Sequence, residues 1–287
     1  MAGVTVSVRP IDANVVESVS SFLHEHMNQR VSAAQWLHLM KPPWPAAGPN
    51  SGFLLADGDA VVGAYVAVYS ERLVSDEPLK VCNLAAFCVL DEYRTHGLRL
   101  IRALLSQKGY FFTDLSPSGN VLALNERLGF ERLPSDTRLV INVPWFATDA
   151  VTISSDPQLL ENTLEGVDAR VYRDHAAAPA AHHLLIQRQG GYGYLMYRHD
   201  RRKRLPLFAS PLFVGGDRQV VEHAWLRIGA HLLRQGLLFT LAEPRVLGFE
   251  PSRGVPLRHP RPRMFRGRGL AANDVDYLYS ELTLVAW

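Results

Sequence analysis

The chain has 287 residues, 47% of them hydrophobic, and a formal net charge of +2; its two cysteines are too few for a disulfide framework or a four-cysteine zinc site. No run of 18 uncharged apolar residues occurs, and the opening residues MAGVTV lack the charged and apolar regions of a secretory leader, so the expectation is a cytoplasmic protein with no membrane span and no metal. The length supports one large or two modest domains, each with its own core.

In chain order, helical segments carrying His24, His26, Trp36 and His38 come first. Residues 52–56 and 61–69 are strand-like and are joined by Asp57, Gly58 and Asp59, a hairpin signal. A third strand is predicted over 81–90, with Cys82 and Cys88 as reduced core residues. A tight polar loop follows, Arg94, Thr95, His96, Gly97, Leu98 and Arg99, and opens an amphipathic helix whose stripe is Leu98, Ile101, Leu104 and Leu105. A strand feeding such a loop makes an anion site, because first-turn N–H groups have no intrahelical partner. Gly97 would let the backbone approach a phosphate, and Arg94 and Arg99 would add charge. Residues 110–115 are strand-like, Ser116 to Gly119 break the strand, and Asn120 is placed to cap a helix that Gly129 stops near 128. Segments 130–133 and 137–143 then close the unit.

The run VLDEYRTHGLRLIRALL at 89–105 resembles the pyrophosphate loop of the GNAT acyltransferase superfamily, Arg/Gln-x-x-Gly-x-Gly/Ala, with Arg99 standing where that family prefers a small residue. NVLALNERLGF at 120–130 is similar to the family's last helix and its Leu-Gly-Phe ending. The resemblance covers about residues 4 to 143. It implies an α/β (α+β) fold, a mixed, mostly antiparallel twisted sheet flanked by helices. It further implies acetyl-CoA or another acyl-CoA as cosubstrate, held by Phe87, Cys88, Val89, Arg94, Thr95, His96, Gly97, Leu98, Arg99 and Asn120.

Charge divides the chain: residues 1–150 carry 12 basic and 15 acidic side chains, residues 151–287 carry 18 and 13. A boundary is expected near Pro144 to Asp149, giving a first domain at 1–146 and a second at 147–287. The second half repeats the plan: a helix over 158–165, strands near 183–189, 193–199 and 205–214, a glycine turn Gly215-Gly216, a helix over 217–234 and a strand over 237–241. It reads as a divergent second GNAT-like unit, the other reading being an unrelated α/β extension. It lacks the arginine–glycine loop, and Asp217 at the helix start would repel a pyrophosphate, so one cofactor site per chain is expected. Basic runs at 198–204 and 253–268 read as solvated loops. Nucleic acid is disfavoured, since the second half is only modestly basic and Phe265 alone interrupts the longer run.

Acyl transfer needs a group that takes a proton from the acceptor and one that protonates the leaving thiolate. The family's tyrosine donor is replaced by Asn125, so the acid would come from Ser116 or a water; Asn83 is the polar candidate on its strand, and His24 is a candidate base. Trp36 and Trp44 suit either an aromatic acceptor wall or a core, and Arg261, Arg263 and Arg266 are candidates for anchoring an anionic acceptor. The reading is an acyl-CoA-dependent acyltransferase, transferring an acetyl or short acyl group to the amine or hydroxyl of a small acceptor. An amino sugar comes first, because SPSGN at 116–120 looks like GNAT-type proteins of polysaccharide modification. The alternative is a non-catalytic acyl-CoA-binding or scaffold protein, and a homo-oligomer is compatible with either.

Overall fold

A computed structural model describes residues 6–45, 48–74, 77–145, 150–202 and 205–287, with the side chain of Asn120 excepted. The chain forms two compact units, one of residues 1–133, 262–272 and 279–285, the other of residues 134–261, 273–278 and 286–287. The division therefore falls at Leu133–Pro134, not near 146, and the last quarter of the chain contributes to both units.

The first unit opens with strand β1 (Ser7–Pro10) and helices α1 (Val16–His26) and α2 (Ala33–Leu37), then the long strands β2 (Gly52–Asp57), β3 (Ala60–Val74) and β4 (Glu77–Val89). The β2–β3 turn places Gly58 at φ +61, a left-handed conformation that favours glycine. β3 is buried along most of its length, as a central strand covered on both faces must be. After β4 come helix α3 (Gly97–Leu105), β5 (Tyr110–Asp114), α4 (Gly119–Arg127) and β6 (Glu131–Arg132). Leu100, Ile101 and Leu104 form the buried stripe of α3, while Leu98 is 45% exposed, so the apolar face is rotated from the expected one. These side chains share a core with Leu55, Tyr65, Leu84, Phe112 and Phe130.

The second unit holds β7 (Arg138–Ile141), β8 (Thr152–Ser154), α5 (Pro157–Thr163), α6 (Gly166–His175), β9 (His182–Arg188), β10 (Gly191–Arg202) and β11 (Leu205–Gly216). α7 (Arg218–His223), α8 (Trp225–Arg234), β12 (Phe239–Ala242), α9 (Pro244–Leu247) and β13 (Gly254–Pro256) follow. The helix expected over 217–234 is thus two helices with Ala224 between them. Strand β14 (Met264–Arg266) and the short helix α10 (Glu281–Leu284) return to the first unit.

Each sheet has seven strands, ordered β1-β2-β3-β4-β5-β14-β6 and β13-β7-β12-β11-β10-β9-β8. Pairing is antiparallel except for β4 with β5 and β11 with β12, which lie at the same place in each sheet. The interior strand beside β5 is β14, from late in the chain, and the interior strand beside β12 is β7, from the middle. Residues 137–143 therefore close the second sheet, not the first, and 264–266 are a buried strand, not part of a solvated loop. Met264 pairs with Asp114 and Arg132, and Phe265, 6% exposed, stacks on Phe111 at 5.8 Å.

Two expectations follow. Phe265→Ala should destabilise the first unit by about 3–5 kcal/mol in urea denaturation, the usual cost of truncating a core aromatic; a loop residue would shift the midpoint hardly at all. On β9 and β10, His182 stacks on His199 at 4.0 Å, and His183 Nδ1 lies 2.7 Å from the Tyr194 hydroxyl. Burial, with the neighbouring His199, His183 and Arg198, pushes His182 down to about 4; burial does the same to His183 against the raising effect of the His175 carbonyl. Between pH 6.5 and 4 the unfolded chain then binds more protons than the folded one, so stability present above pH 6.5 is lost as the pH falls to 4. For the more buried His183 this is about 2–3 kcal/mol. The melting midpoint of the second unit should fall from pH 7 to 4, and His183→Gln should flatten that slope.

Candidate functional site

β4 ends at Val89, a 3₁₀ turn spans Asp91–His96, and α3 begins directly at Gly97. The segment expected to be an open loop is thus helical throughout. His96, at the N-cap of α3, makes no side-chain capping bond, and the Gly97 N–H donates to the Arg94 carbonyl of the preceding turn. Gly97 is in ordinary helical conformation at φ −57, and a Cβ there would lie 3.2 Å from the Phe87 ring. A side chain at 97 would therefore press on β4, so the glycine also serves the packing of α3. Phe87, Cys88 and Val89 are half-buried at the end of β4, where the Phe87 ring meets Tyr65 at 4.8 Å. Arg94 and Thr95 are exposed, and Arg94 pairs with Asp91 at 2.7 Å. Arg99 does not add charge to the helix start, because its Nη1 donates to the Val6 carbonyl at 2.8 Å and ties α3 to the chain entering β1. The helix α4 starts at Gly119 with Ser118 at its N-cap, so Asn120 does not occupy the cap position, and its side chain lies outside the described residues.

β4 and β5 pair over only four residues, from Lys80↔Tyr110 to Asn83↔Thr113, and then part. Just beyond the apex, the β3–β4 register skips Ala85, a β-bulge of the kind found where strands re-aim beside active sites. Polar side chains converge at the apex. Asn83 Nδ2 donates to Thr113 Oγ1 at 3.1 Å, and Asn83 Oδ1 accepts from the Glu281 backbone N–H at 3.2 Å. Ser116 Oγ donates to Glu281 Oε1 at 2.6 Å, and Asn125 Nδ2 donates to Asp114 Oδ2 at 2.7 Å. Asn83, Asp114, Asn125 and Glu281 are all buried, and Asn125 Oδ1 is buried with no hydrogen-bond partner among the described residues. Burial, then the Glu281 charge, pushes the Asp114 carboxyl up to about 7, against the lowering effect of the bonds from Asn125 and the Ser116 backbone. The structure thus unites three residues expected from sequence, Asn83, Ser116 and Asn125, and adds two carboxylates that sequence reasoning missed. The available signal was a lone acid inside the apolar run LYSELTLVAW, and an aspartate ending the buried strand YFFTD.

Other expected residues lie elsewhere. His24 Nδ1 sits 2.8 Å from the Val31 carbonyl and fastens the α1–α2 connection. Trp36 and Trp44 are core residues, not an exposed wall; Trp44 Nε1 donates to the Tyr69 carbonyl and its ring meets Tyr279 edge-on at 5.2 Å. The three arginines form no acceptor cluster. Arg261 Nη1 binds both oxygens of Asp200 at 2.9 and 2.8 Å; burial alone would raise that carboxyl, but Arg261 and Arg198 hold it below the usual range. Arg263 is buried and donates to the Leu115 carbonyl, and Arg266 is half-buried on β14 opposite Phe112.

In the second unit, the turn at the matching place is filled from within. Gly216 N–H donates to Asp168 Oδ2 at 2.7 Å, the Tyr192 hydroxyl donates to the same oxygen at 3.0 Å, and a Cβ at Gly215 would fall 2.1 Å from Asp168 Oδ1. Asp217, expected to repel a phosphate, instead caps α7 by accepting the Gln219 N–H. Asp168 on α6 is the carboxylate that takes the anion's place.

No family model matches the sequence, and comparison with curated proteins finds no match. Solved structures do match in fold. A GCN5-related N-acetyltransferase from Anabaena variabilis is similar at a TM-score of 0.60 and 13% identity, over 91% of this chain and 72% of that one. One from Kribbella flavida gives 0.54 and 14%, over 91% and 71%. A glucosamine N-acetyltransferase region in a fungal multi-domain β-N-acetylglucosaminidase gives 0.59 and 10%, over 93% of this chain and 38% of that one. With two seven-stranded, mostly antiparallel sheets flanked by helices, each with a single parallel pair at the same place, this chain has a tandem GNAT fold.

Proposed function

We propose that the protein is an acyl-CoA-dependent acyltransferase with one working site, in the first unit. The observation that carries this reading is the parting of β4 and β5 at Asn83 and Thr113, with a buried acidic cluster at its apex and the uncapped start of α3 at the end of β4. The pantetheine arm would run along β4 from Leu84 to Val89, where β5 no longer pairs, and the pyrophosphate would meet the first turn of α3 with Arg94 swinging from Asp91. An acyl-CoA would supply the activated thioester; the acceptor's nitrogen or oxygen would attack its carbonyl carbon and take the acyl group as the C–S bond breaks and coenzyme A leaves as the thiolate. The bulge at Ala85 offers a backbone N–H outside the ladder to polarise the carbonyl. Asp114, protonated up to about pH 7, would give its proton to the thiolate, with Asn125 positioning it. Glu281, through Ser116, would accept the proton lost by the acceptor. The glucosamine N-acetyltransferase region among the structural neighbours makes an amino sugar the first acceptor to assay.

The non-catalytic alternative draws on the same cluster, since Asp114 and Glu281 are 5% and 0% exposed and an asparagine holds the place of the family's proton donor. Free-thiol release from acetyl-CoA with amino sugars, amino acids and polyamines decides between them; coenzyme A binding without thiol release would establish the alternative. In calorimetric titration each chain should bind one coenzyme A, because Asp168 fills the second turn. Arg94→Ala should weaken that binding by about 1–3 kcal/mol, and two equivalent sites would contradict the account. Asp114→Asn should slow turnover by about 10²–10⁴-fold and abolish a decline in rate above pH 7. Because the folded Asp114 holds its proton to about 7 and the unfolded one only to 3.8, stability of the first unit should fall as pH rises through that window, and the same substitution should remove that fall.

A further inference from the structure

We propose that the second unit binds a planar, uncharged nitrogen heteroaromatic, of the nicotinamide or purine kind, stacked on the imidazole pair of His182 and His199 and hydrogen-bonded by their ring edges. The cavity beside this pair measures about 410 Å³, the size of a small-ligand site, and Ser155, Leu160, Tyr172, His182, Tyr197 and His199 stand in its wall. All six belong to the second unit, so the inference is independent of the acyl-transfer reading.

Strand pairing brings the rings together. His182 opens β9 opposite Tyr197 on β10, and His199 lies two residues further along β10, on the same face as Tyr197. The three rings are layered: His182 is 4.0 Å from His199 at 18° and 5.3 Å from Tyr197 at 32°, and Tyr197 is 6.0 Å from His199 at 30°. A flat ring entering the cavity continues that stack. Neighbouring polar groups are already engaged. His183 lies between the Tyr194 hydroxyl and the His175 carbonyl, the Tyr197 hydroxyl donates to Gln235, and Gln235 meets His231. His182, His199 and Ser155 differ, because none of their side chains makes a hydrogen bond or ion pair among the described residues. His182 is half-buried, and His199 and Ser155 are exposed, so their polar atoms are open to a ligand.

The charge of the wall narrows the ligand. Burial pushes His182 down to about 4, with His199, His183 and Arg198 adding to the effect, and burial lowers His199 too, so both imidazoles are neutral at pH 7. A neutral imidazole offers one N–H donor and one nitrogen acceptor, and the Ser155 hydroxyl can act in either role. Among the described residues the wall holds no carboxylate, ammonium or guanidinium. Asp156, next to Ser155 in sequence, caps α5 by accepting the Gln158 N–H, and Arg198 is 1% exposed beneath the Trp287 ring. A charged ligand would give up its water and gain no counter-charge. A neutral heteroaromatic, with ring nitrogens and an amide or amino group along its edge, matches the donors and acceptors of the two imidazoles. Leu160 and Tyr172 line the apolar remainder.

Calorimetric titration of the full chain at pH 7 with nicotinamide and adenine tests the proposal, beside their anionic counterparts nicotinate and urate and the non-aromatic cyclohexanecarboxamide. At least one of the two neutral heteroaromatics should bind, and each of the three comparison compounds should bind at least about tenfold more weakly than it does. His199→Phe, at an exposed position, keeps a ring for stacking and removes a hydrogen-bonding edge, and should lower that affinity by about tenfold. His199→Ala removes both and should lower it further. Binding of neither heteroaromatic to folded wild-type chain overturns the site. An anion binding as tightly overturns the exclusion of charge, cyclohexanecarboxamide binding as tightly overturns the stacking, and wild-type affinity in both His199 variants overturns the placement of the ligand on this pair.

Discussion

β4 and β5 are held together by four paired residues, and the polar apex of the first unit depends on where that pairing stops. A parallel pair that ends inside a sheet opens a cleft but leaves interior polar groups to be satisfied by side chains. Asn83 does this in two directions, donating to Thr113 on the partner strand and accepting from the backbone of Glu281. That second bond fixes the segment around α10 at the apex and brings a second carboxylate near Asp114. Two buried acids in one electrostatic neighbourhood cannot both ionise cheaply, so a carboxyl that keeps its proton near neutral pH is a consequence of the topology.

The two sheets also exchange a strand. Each needs an interior strand beside its short parallel partner, and β14 fills that place in the first sheet while β7 fills it in the second. The first unit therefore completes its sheet only with residues 264–266, and its polar apex only with residue 281. Folding of the first unit must wait for the end of the chain, at the entropic cost that non-local pairing carries. In exchange, Glu281 reaches a position that no residue adjacent in sequence to Asp114 occupies.

Local pattern made most elements legible. Alternating or continuous apolar runs marked β2 to β5 and β9 to β12, and Asp57-Gly58-Asp59 marked its hairpin. What pattern could not reveal was partnership. β7 and β14 are three or four residues long, and nothing in RLVI or MFR specifies which sheet they join. Arg99, Arg261 and Arg263 looked like anion ligands because an arginine's role is set by what lies across from it: a carbonyl for Arg99 and Arg263, a carboxylate for Arg261. Asn83, Ser116 and Asn125 were recognisable as polar residues in apolar surroundings, whereas their two acidic partners required the long-range fold.

The segments leading into α3 and α7 differ in what meets their backbone. In the first unit, α3 begins with no side chain capping it, its Gly97 N–H donates to the Arg94 carbonyl, and Asp91 is engaged by the exposed Arg94. In the second, Asp168 reaches from α6 into the turn and accepts both a backbone N–H and a tyrosine hydroxyl, bonds a phosphate would otherwise receive. An internal carboxylate needs no mass-action concentration to occupy its place, so it outcompetes a free anion unless it is removed.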